Sequence, residues 1–185
     1  MSNLALKDQL SIEEYLEGEK LTPVKHEFIN GDVYAMGGAS DRHGLISMNL
    51  GSALSMGLPD SCEVFVSDMK LCYEQNNEKC FYYPDILVSC DASDNAPYFR
   101  KSPVLVVEVL SGSTERIDRT EKRERYQKIP TLQEYVLIAQ DFPKIEIFRR
   151  SQAWRCEEYF IEHSFRLESV DMEFKVSDIY RRIKY

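Results

Sequence analysis

The pattern of hydrophobic and polar positions predicts an alternation of short helices and strands in the first third of the chain. Residues 11–20 begin with the Ser-x-x-Glu spacing of a capping box and predict a helix. Residues 26–36 predict two strands joined at Asn30-Gly31, a dipeptide that is a strong hairpin signal. Residues 40–57 open with a capping Ser or Asp and place their apolar side chains on one helical face.

The middle of the chain predicts strands followed by a charged helix. Residues 62–73 and 81–89 have the partial alternation and β-branched or aromatic content of strands. Residues 91–102 are polar and predict a loop. Residues 103–110 (PVLVVEVL) are nearly all apolar, as expected of a central strand covered on both faces. Residues 114–128 predict a highly charged helix that ends before a proline.

The last third predicts strands at 134–139, 144–150 and 154–162, and Ser177 can cap a short final helix. Helices and strands in this order predict an α/β or α+β fold, with a mixed sheet and helices packed on it. The sequence contains no internal repeat and no Gly/Ser linker, so we expect one domain over residues 1–185.

Composition narrows the class of protein. The chain has 185 residues, 43% hydrophobic and 29% charged, which is ordinary for a globular domain. No apolar run reaches the ~18 residues of a membrane helix, and Met1–Leu10 lacks the pattern of a signal peptide, so we expect a cytoplasmic protein. Five cysteines, an odd number without a C-x-x-C pair, argue against a disulfide framework or zinc knot and predict small packed side chains in a reducing compartment: Cys62, Cys72, Cys80, Cys90 and Cys156.

The charge is strongly asymmetric along the chain. The net charge is −8, which by itself disfavours binding to nucleic acid because phosphate contacts depend on Lys and Arg. Residues 1–112 contain 8 basic and 17 acidic side chains, whereas residues 113–185 contain 15 and 14. The acidic excess therefore lies entirely in the first part of the chain.

Two acids stand inside strands that are otherwise apolar. Glu108 lies within the central strand, where a carboxylate would be desolvated and needs a partner. Asp85 follows Pro84, whose missing N–H marks a strand start, an edge or a bulge. The ordinary alternatives are a Glu at a strand end that reaches solvent or an Arg, and an Asp that merely solvates a turn.

A lysine adds chemistry to these acids. Asp118, Lys122 and Tyr126 lie on one stripe of the charged helix, where surface pairing is the ordinary explanation. Two converging carboxylates would hold a hard cation such as Mg²⁺ between them, and a neighbouring Lys would orient a water and stabilise developing negative charge. This set indicates metal-assisted hydrolysis of a phosphodiester.

The order of these residues resembles the PD-(D/E)XK nuclease superfamily. Pro84-Asp85 and Glu108 match its two acids, but Leu110 stands where its Lys is expected. The chain is similar to the Uma-type family of restriction endonucleases, in which the Lys has moved to the following helix. The matching positions, spread over about residues 10–155, are Glu27, Gly31, His43, Ser67-Asp68-Met69, Val107–Ser111, Ser113-Thr114, Asp118, Lys122, Tyr126 and Glu134-Tyr135.

The resemblance implies a restriction-endonuclease-like mixed sheet flanked by helices, with additional antiparallel strands. It implies that Asp85 and Glu108 bind Mg²⁺ or Mn²⁺, with the Val109 carbonyl as a further ligand. Lys122 would position or activate the attacking water, and Glu27 would assist as a ligand or through water.

Four further residues are weighed as auxiliary members of the site. His43 shares a helical face with apolar residues, so it is either a hydrogen-bonded histidine at the edge of the core or a phosphate contact. Asp68 is either an acid just behind the metal ligands or an ordinary strand-end residue. Tyr126 is expected to hold the helix that carries Lys122, on which Asp118 also lies.

The leading hypothesis is a Mg²⁺-dependent DNA endonuclease, expected by analogy to be a homodimer because cutting two strands needs two sites. The alternatives are a catalytically inactive nuclease fold that binds nucleic acid or protein, and a metal-dependent hydrolase of another phosphate or nucleotide. A bound divalent cation would cancel two of the acidic charges, so the net charge does not exclude DNA; it predicts weak, salt-sensitive binding without metal.

Overall fold

Short helices and strands follow one another through residues 9–185, the part of the chain that the computed structural model describes. The helices are α1 (Ile12–Glu19), α2 (Asp41–Gly57), α3 (Glu115–Ile117), a π-helix (Asp118–Lys122), α4 (Arg123–Tyr126) and α5 (Val176–Ile179). The strands are β1 (His26–Ile29), β2 (Asp32–Ala35), β3 (Glu63–Val66), β4 (Lys70–Gln75), β5 (Glu78–Tyr82), β6 (Ile86–Ser89), β7 (Phe99–Arg100), β8 (Pro103–Leu110), β9 (Glu134–Ala139), β10 (Lys144–Arg149), β11 (Cys156–Phe160), β12 (Ser164–Leu167) and β13 (Met172–Lys175).

Two larger sheets and a hairpin organise these strands. The six-stranded sheet has the order β11-β10-β9-β8-β6-β3 and is mixed, because β8 and β9 run parallel while its other pairs are antiparallel. The second sheet has the order β2-β1-β5-β4-β7, and β12 pairs with β13. The predicted α+β fold with a mixed sheet, helices and additional antiparallel strands is confirmed.

The central strand β8 separates two apolar cores. Successive side chains of a strand point to opposite faces of its sheet. Val107 and Val109 pack on one face with the apolar stripe of α2, whereas Val106 and Leu110 pack on the other face with Tyr126. The same alternation places Glu108 on the face of Val106 and Leu110. The fold therefore directs this one acidic side chain toward the charged helix.

Local signals predicted several elements with correct boundaries. Ser11 and Glu14 form the capping box of α1, and Ser40 caps α2. Asn30 and Gly31 adopt positive φ angles of 52° and 100° between β1 and β2, as a tight hairpin turn requires. All residues of β8 are buried except the half-buried Val104, as predicted for a central strand covered on both faces.

Other elements differ from the prediction. Residues 62–73 and 81–89 each form two strands that belong to different sheets. The second break falls at Pro84, which has no N–H to continue a ladder. The pair β12 and β13 and the short β7 were not predicted, because their few residues lie in polar surroundings. The residue before α5 is Lys175, so Ser177 lies inside that helix and does not cap it.

The expectation for the cysteines is wrong for one pair and for Cys156. Cys62 and Cys90 form a disulfide, with Cα atoms 4.1 Å apart. Glu63 lies opposite Ser89 in the antiparallel pair of β3 and β6, so the two cysteines are the next cross-strand neighbours. The two cysteines are 28 residues apart in the sequence, so their proximity could not be predicted from it. Cys72 and Cys80 are buried as expected, whereas Cys156 is exposed.

Two expectations concern the whole chain. None of the helices described in residues 9–185 is both long and apolar enough to cross a membrane. Most of Met1–Leu10, on which the expectation of no signal peptide rests, lies outside the described residues. A single domain over residues 1–185 stays a prediction.

Candidate active site

The ammonium group of Lys122 lies buried among three carboxylates. Its Nζ atom is 3.1 Å from Glu27 Oε1, 3.2 Å from Glu108 Oε1 and 3.1 Å from Asp118 Oδ1. Only 4% of Lys122 and 3% of Glu108 are exposed to solvent. The ring of Tyr82 lies below the same ammonium, with its centroid 5.6 Å away. Three separate elements therefore converge on one lysine.

The local backbone explains this convergence. Glu27 comes from β1, Glu108 from β8, and both Asp118 and Lys122 from the π-helix. Single turns of π-helix are rare and occur frequently at functional sites, because the wider turn re-aims side chains. Tyr135 donates a hydrogen bond from its hydroxyl to the Asp118 carbonyl oxygen at 3.0 Å, which fixes this turn against β9.

Asp85, just before β6, lies beside Glu108 on the neighbouring strand β8. The Asp85 amide donates to Glu108 Oε2 at 3.4 Å, and the Val109 amide donates to Asp85 Oδ2 at 2.7 Å. The Ser67 amide donates to the Asp85 carbonyl oxygen at 3.0 Å. The strands break at Pro84, and the Asp85 side chain points toward Val109 near the end of β8.

His43 contacts the same aspartate. Its Nε2 atom lies 3.1 Å from Asp85 Oδ2, because the first turn of α2 sits over the beginning of β6. Burial opposes protonation of His43, but the hydrogen bond and charge of Asp85 raise the pKa of His43 above its ordinary value. The histidine is therefore a hydrogen-bonded partner of Asp85, and a contact with phosphate stays a prediction.

Tyr126 anchors Glu108 from the next turn of the charged helix. Its hydroxyl donates to Glu108 Oε1 at 3.2 Å. Its ring packs edge-on against Tyr82 and Tyr135, with centroid distances of 5.6 and 5.4 Å. Such packed aromatic rings leave Tyr126 little freedom, so the tyrosine holds both the helix and the carboxylate in place.

The site contains more negative charge than its own cations can balance. Four carboxylates (Glu27, Asp85, Glu108 and Asp118) surround one lysine and one histidine. Burial raises the pKa of Glu108 well above its ordinary value, and the charges of Asp118, Asp85 and Glu27 raise it further against the opposing effect of Lys122.

Lys122 itself stays charged in this environment. Burial opposes its charge, but Glu108, Glu27 and Asp118 together raise the pKa of Lys122 well above its ordinary value. Within the described residues, Glu27 Oε1 and Asp118 Oδ1 have no hydrogen-bond partner, since the angles to the nearby ammonium fall outside hydrogen-bond geometry. Both oxygens form ion pairs with the one ammonium that three carboxylates share, and this excess of buried negative charge fits a hard divalent cation.

A second group of ligand atoms lies elsewhere on the sheet. Glu146, Cys156 and Glu158 form the one group found within residues 9–185 whose ligand atoms all lie within 4.8 Å of one another. Lys144 Nζ is 3.1 Å from Glu146 Oε1 and 2.6 Å from Glu158 Oε1, and Arg119 Nη1 is 2.6 Å from Glu146 Oε2. These cations already pair with the carboxylates, so this group has no surplus charge to bind a metal.

The structure brings together most residues that the sequence singled out: Glu27, His43, Asp85, Glu108, Val109, Asp118, Lys122 and Tyr126. Asp68 is not among them, because its side chain is exposed and pairs with Lys25. The residues that sequence reasoning missed are Tyr82, below the lysine, and Tyr135, which holds the π-helix. Tyr135 belonged to the matched Glu-Tyr strand, whereas no signal pointed to Tyr82.

Two proteins of one cyanobacterial strain are similar in sequence to this chain. A protein of Synechocystis sp. (strain ATCC 27184 / PCC 6803 / Kazusa), the uncharacterized protein slr1290, is 36% identical over 181 residues, covering 96% of this chain and 94% of its own. The uncharacterized protein sll1609 of the same organism is 35% identical over 145 residues, covering 76% of this chain and 81% of its own.

The fold also has a solved counterpart. The crystal structure of a protein from Anabaena variabilis ATCC 29413, described as a putative nuclease belonging to DUF820, superimposes with a TM-score of 0.72 at 16% identity and covers 92% of this chain and 97% of its own. The model of the Uma2 family, described as "Putative restriction endonuclease", matches residues 12–176. Because this match spans most of the sequence, the chain belongs to the Uma2 family.

Proposed function

We propose that the protein is an endonuclease that hydrolyses DNA phosphodiester bonds with Mg²⁺ or Mn²⁺. The observation that carries this proposal is the pair of Asp85 and Glu108, side by side and joined through backbone amides, with the Lys122 ammonium 3.2 Å from Glu108. Membership of a family described as restriction endonucleases supports the same reaction class.

The acids would hold the metal. Asp85 and Glu108 would supply its carboxylate ligands, the Val109 carbonyl would add an oxygen, and Glu27 would assist as a ligand or through water. When bound, Mg²⁺ supplies Lewis-acid stabilisation of the charge that develops on the phosphoryl oxygens. The raised pKa of Glu108 reflects the electrostatic cost that a cation between these carboxylates would relieve.

The remaining residues position these groups. Lys122 carries a fixed positive charge at the position where the attacking water and the phosphate must meet, so it can orient the water and stabilise negative charge. Asp118 pairs with Lys122 and limits its rotation. His43 holds Asp85, and Tyr126 holds Glu108. Such supporting contacts keep reacting groups within the tolerances that catalysis needs.

Plasmid cleavage tests the proposal. Purified protein with supercoiled plasmid and Mg²⁺ or Mn²⁺ should produce nicked or linear DNA, and Asp85→Ala or Glu108→Ala should lower the rate by roughly 10³-fold or more, since each removes a metal ligand. Glu158→Ala is the matched control, because it removes a carboxylate from the second ligand group. We expect it to cleave at the parental rate.

The same assay separates the alternatives. Cleavage that survives both Asp85→Ala and Glu108→Ala would overturn the assignment of the site. An inactive protein that still binds DNA would favour the nuclease fold as a binding module. Hydrolysis of nucleotides or other phosphate esters in a substrate panel, without cleavage of DNA, would favour the other metal-dependent hydrolase.

We also propose a cytoplasmic location. We further propose a homodimer, because cutting both strands of a duplex needs two sites. Sedimentation equilibrium measures the mass in solution directly. A mass of one chain at micromolar concentration, together with double-strand cleavage, would exclude a stable dimer as the cutting unit.

A further inference from the structure

Lysine and tyrosine side chains form a surface beside the candidate active site that the proposed mechanism does not use. This lysine–tyrosine surface consists of Lys20, Lys25, Lys70, Tyr83 and Tyr98. Lys70 lies on β4, and the two tyrosines lie just outside its neighbouring strands, Tyr83 after β5 and Tyr98 before β7. The sheet therefore places the two rings on either side of one lysine.

Lys70 is an unusual side chain for a structural role. It is only 6% exposed, and no carboxylate lies within 4.0 Å of its ammonium among the described residues. Its Nζ atom is 4.9 Å from the centroid of the Tyr83 ring and 5.9 Å from that of Tyr98. Burial lowers the pKa of Lys70, which the distant charge of Glu19 only partly offsets. A lysine held by rings instead of by an acid keeps its hydrogen-bond donors available to an anion.

The exposed Lys20 and the half-buried Lys25 extend this surface. Lys20 lies 5.1 Å from the Tyr98 ring centroid, and Lys25 lies 5.7 Å from that of Tyr83. Tyr98 is 50% exposed, so the surface opens to solvent. Lys20 also pairs with Glu17, and Lys25 with Asp68, but such exposed pairs contribute little and can exchange for a phosphate.

Each acid near this surface has a partner of its own. Glu19 is buried, and its carboxylate is occupied by the Tyr83 hydroxyl at 2.9 Å and by His26 Nδ1 at 2.7 Å. Glu17 and Asp68 lie exposed at its edge. The lysine–tyrosine surface is therefore balanced in overall charge, with its acids at the rim or turned inward and one buried ammonium between the rings.

The surface is continuous with the candidate active site. Lys25 lies two residues before Glu27, and Tyr83 lies two residues before Asp85. Ser67 also connects the two, since its carbonyl oxygen accepts from Lys25 Nζ at 2.9 Å and its amide donates to the Asp85 carbonyl oxygen at 3.0 Å. A strand bound at Asp85 and Glu108 can thus reach the lysines with its neighbouring phosphates.

We propose that the lysine–tyrosine surface binds the phosphate backbone of the DNA strand next to the bond that is cut. The choice of DNA rests on the proposed function. Lys70 is the fixed contact, held between the two rings, and Lys20 and Lys25 close on the phosphates from the solvent side. Lys70 supplies an ammonium that has no carboxylate partner among the described residues, in the acidic part of the chain, where binding of DNA would otherwise be opposed.

Fluorescence anisotropy tests this proposal without requiring cleavage. The wild-type protein is titrated into a labelled DNA duplex, and separately into its single strand, in EDTA over a series of salt concentrations. Lys20→Gln and Lys70→Gln should each weaken duplex binding ~5–10-fold near 0.1 M salt and reduce the salt slope by about 0.9, as expected for one lost phosphate contact.

Lys128→Gln is the matched control. Lys128 is an exposed lysine paired with Glu124, as Lys20 is with Glu17, but it lies outside the surface. It should leave the affinity nearly unchanged, because exposed charges beyond ~10 Å are screened. Since Lys20 is exposed, its variant keeps the test valid even if Lys70→Gln does not fold.

The outcomes distinguish this proposal from the proposed function. Parental affinity in both lysine variants, or no DNA binding by the wild-type protein, overturns the proposal whether or not the protein cleaves DNA. Lost binding in the variants of a protein that never cleaves supports the surface and contradicts the endonuclease. Tighter binding of an RNA strand, lost in the same variants, would assign the surface to RNA and overturn the choice of DNA.

Discussion

Two groups of charged side chains, each around a buried cation, lie against the six-stranded sheet, and they differ in how completely their buried carboxylate oxygens are hydrogen-bonded. In the first, Arg149 Nε lies 2.9 Å from Glu134 Oε1 and Nη1 lies 2.5 Å from Glu157 Oε1, while Nη2 donates to the Arg166 carbonyl oxygen at 2.7 Å. Glu134 Oε2 accepts bonds from the amide and hydroxyl of Ser169 at 2.8 and 2.6 Å. Each nitrogen of this guanidinium therefore has a partner. Glu168 Oε1 lies a further 3.7 Å from Nε, and Glu157 and Glu168 both reach solvent, so Glu134 is the one fully buried carboxylate among these three.

The group around Lys122 is built in the opposite way. Four carboxylates meet one lysine and one histidine, and two of their oxygens lack hydrogen bonds among the described residues. Folding alone would select the completed network, because a buried polar group without a partner lowers stability. The contrast indicates that the Arg149 group holds β9 and β10 together, whereas the Lys122 group is kept for binding and chemistry.

The same substitution in the two groups should change stability in opposite directions. Glu134→Gln removes the buried carboxylate partner of Arg149, which keeps only the partly exposed Glu157 and Glu168 as charged partners, and should lower the free energy of unfolding by about 3 kcal/mol, as for other broken buried ion pairs. Glu108→Gln removes one of four crowded negative charges and should leave that free energy unchanged or raise it by up to ~1 kcal/mol, as functional residues often do when replaced.

Urea denaturation in EDTA measures both variants against the parent protein. Equal destabilisation by the two substitutions would break the comparison, because it would mean that Glu108 is as fully paired as Glu134. A large loss of unfolding free energy in Glu108→Gln alone would mean that the Lys122 group, and not the Arg149 group, is the more completely paired.

Divalent cations should stabilise one group and leave the other unaffected. Mg²⁺ or Mn²⁺ at about a hundred times its Kd should raise the free energy of unfolding by ~2.7 kcal/mol, since only the folded chain assembles the site. Thermal unfolding should reveal this shift in the wild-type protein and in Glu134→Gln, but a much smaller one in Glu108→Gln and Asp85→Ala. A full shift in Asp85→Ala would place the cation elsewhere, with Glu158→Ala as the next variant to measure.

Much of the fold was readable from the sequence because its signals are local. The cap of α1, the Asn-Gly hairpin and the apolar run of β8 each depend on a few adjacent residues. The position of Lys122 beside Asp118 is also local, since the two are four residues apart on one helix. What the sequence could not give is the partition of strands between two sheets, which depends on long-range pairing.

The site was predictable as a set of residues and only partly as a geometry. The acids Asp85 and Glu108 stand out because each interrupts an apolar strand, and the family resemblance added Glu27 and Lys122. The contact of His43 with Asp85 depends on how α2 crosses the sheet. Asp68 belonged to the same matched pattern, but β3 and β4 part at this point and leave its side chain exposed.

The ion pairs around Arg149 were not predicted from the sequence, for a similar reason. Glu134 matched the family pattern, and Arg149 and Glu157 lie within predicted strands, but nothing in the sequence joined the three. Only the register of β9, β10 and β11, which places Arg149 opposite Glu134, reveals that they meet. Charge patterns along one strand carry little information about partners across a sheet, so buried ion pairs of this kind require the structure.

The smallest expected difference concerns single hydroxyl groups that donate to the two glutamates. Ser169→Ala removes a donor to Glu134, a carboxylate paired with Arg149, and should cost about 2 kcal/mol, since hydrogen bonds to charged groups contribute more than neutral ones. Tyr126→Phe removes a donor to Glu108 and should cost only about 1 kcal/mol, because its hydrogen bond of 3.2 Å is longer and weaker than the 2.6 Å bond from the Ser169 hydroxyl. Urea denaturation of both variants in EDTA measures the difference. A larger loss in Tyr126→Phe would mean that Glu108 is held as a fully charged, completed partner, and the two groups would then differ in composition but not in design.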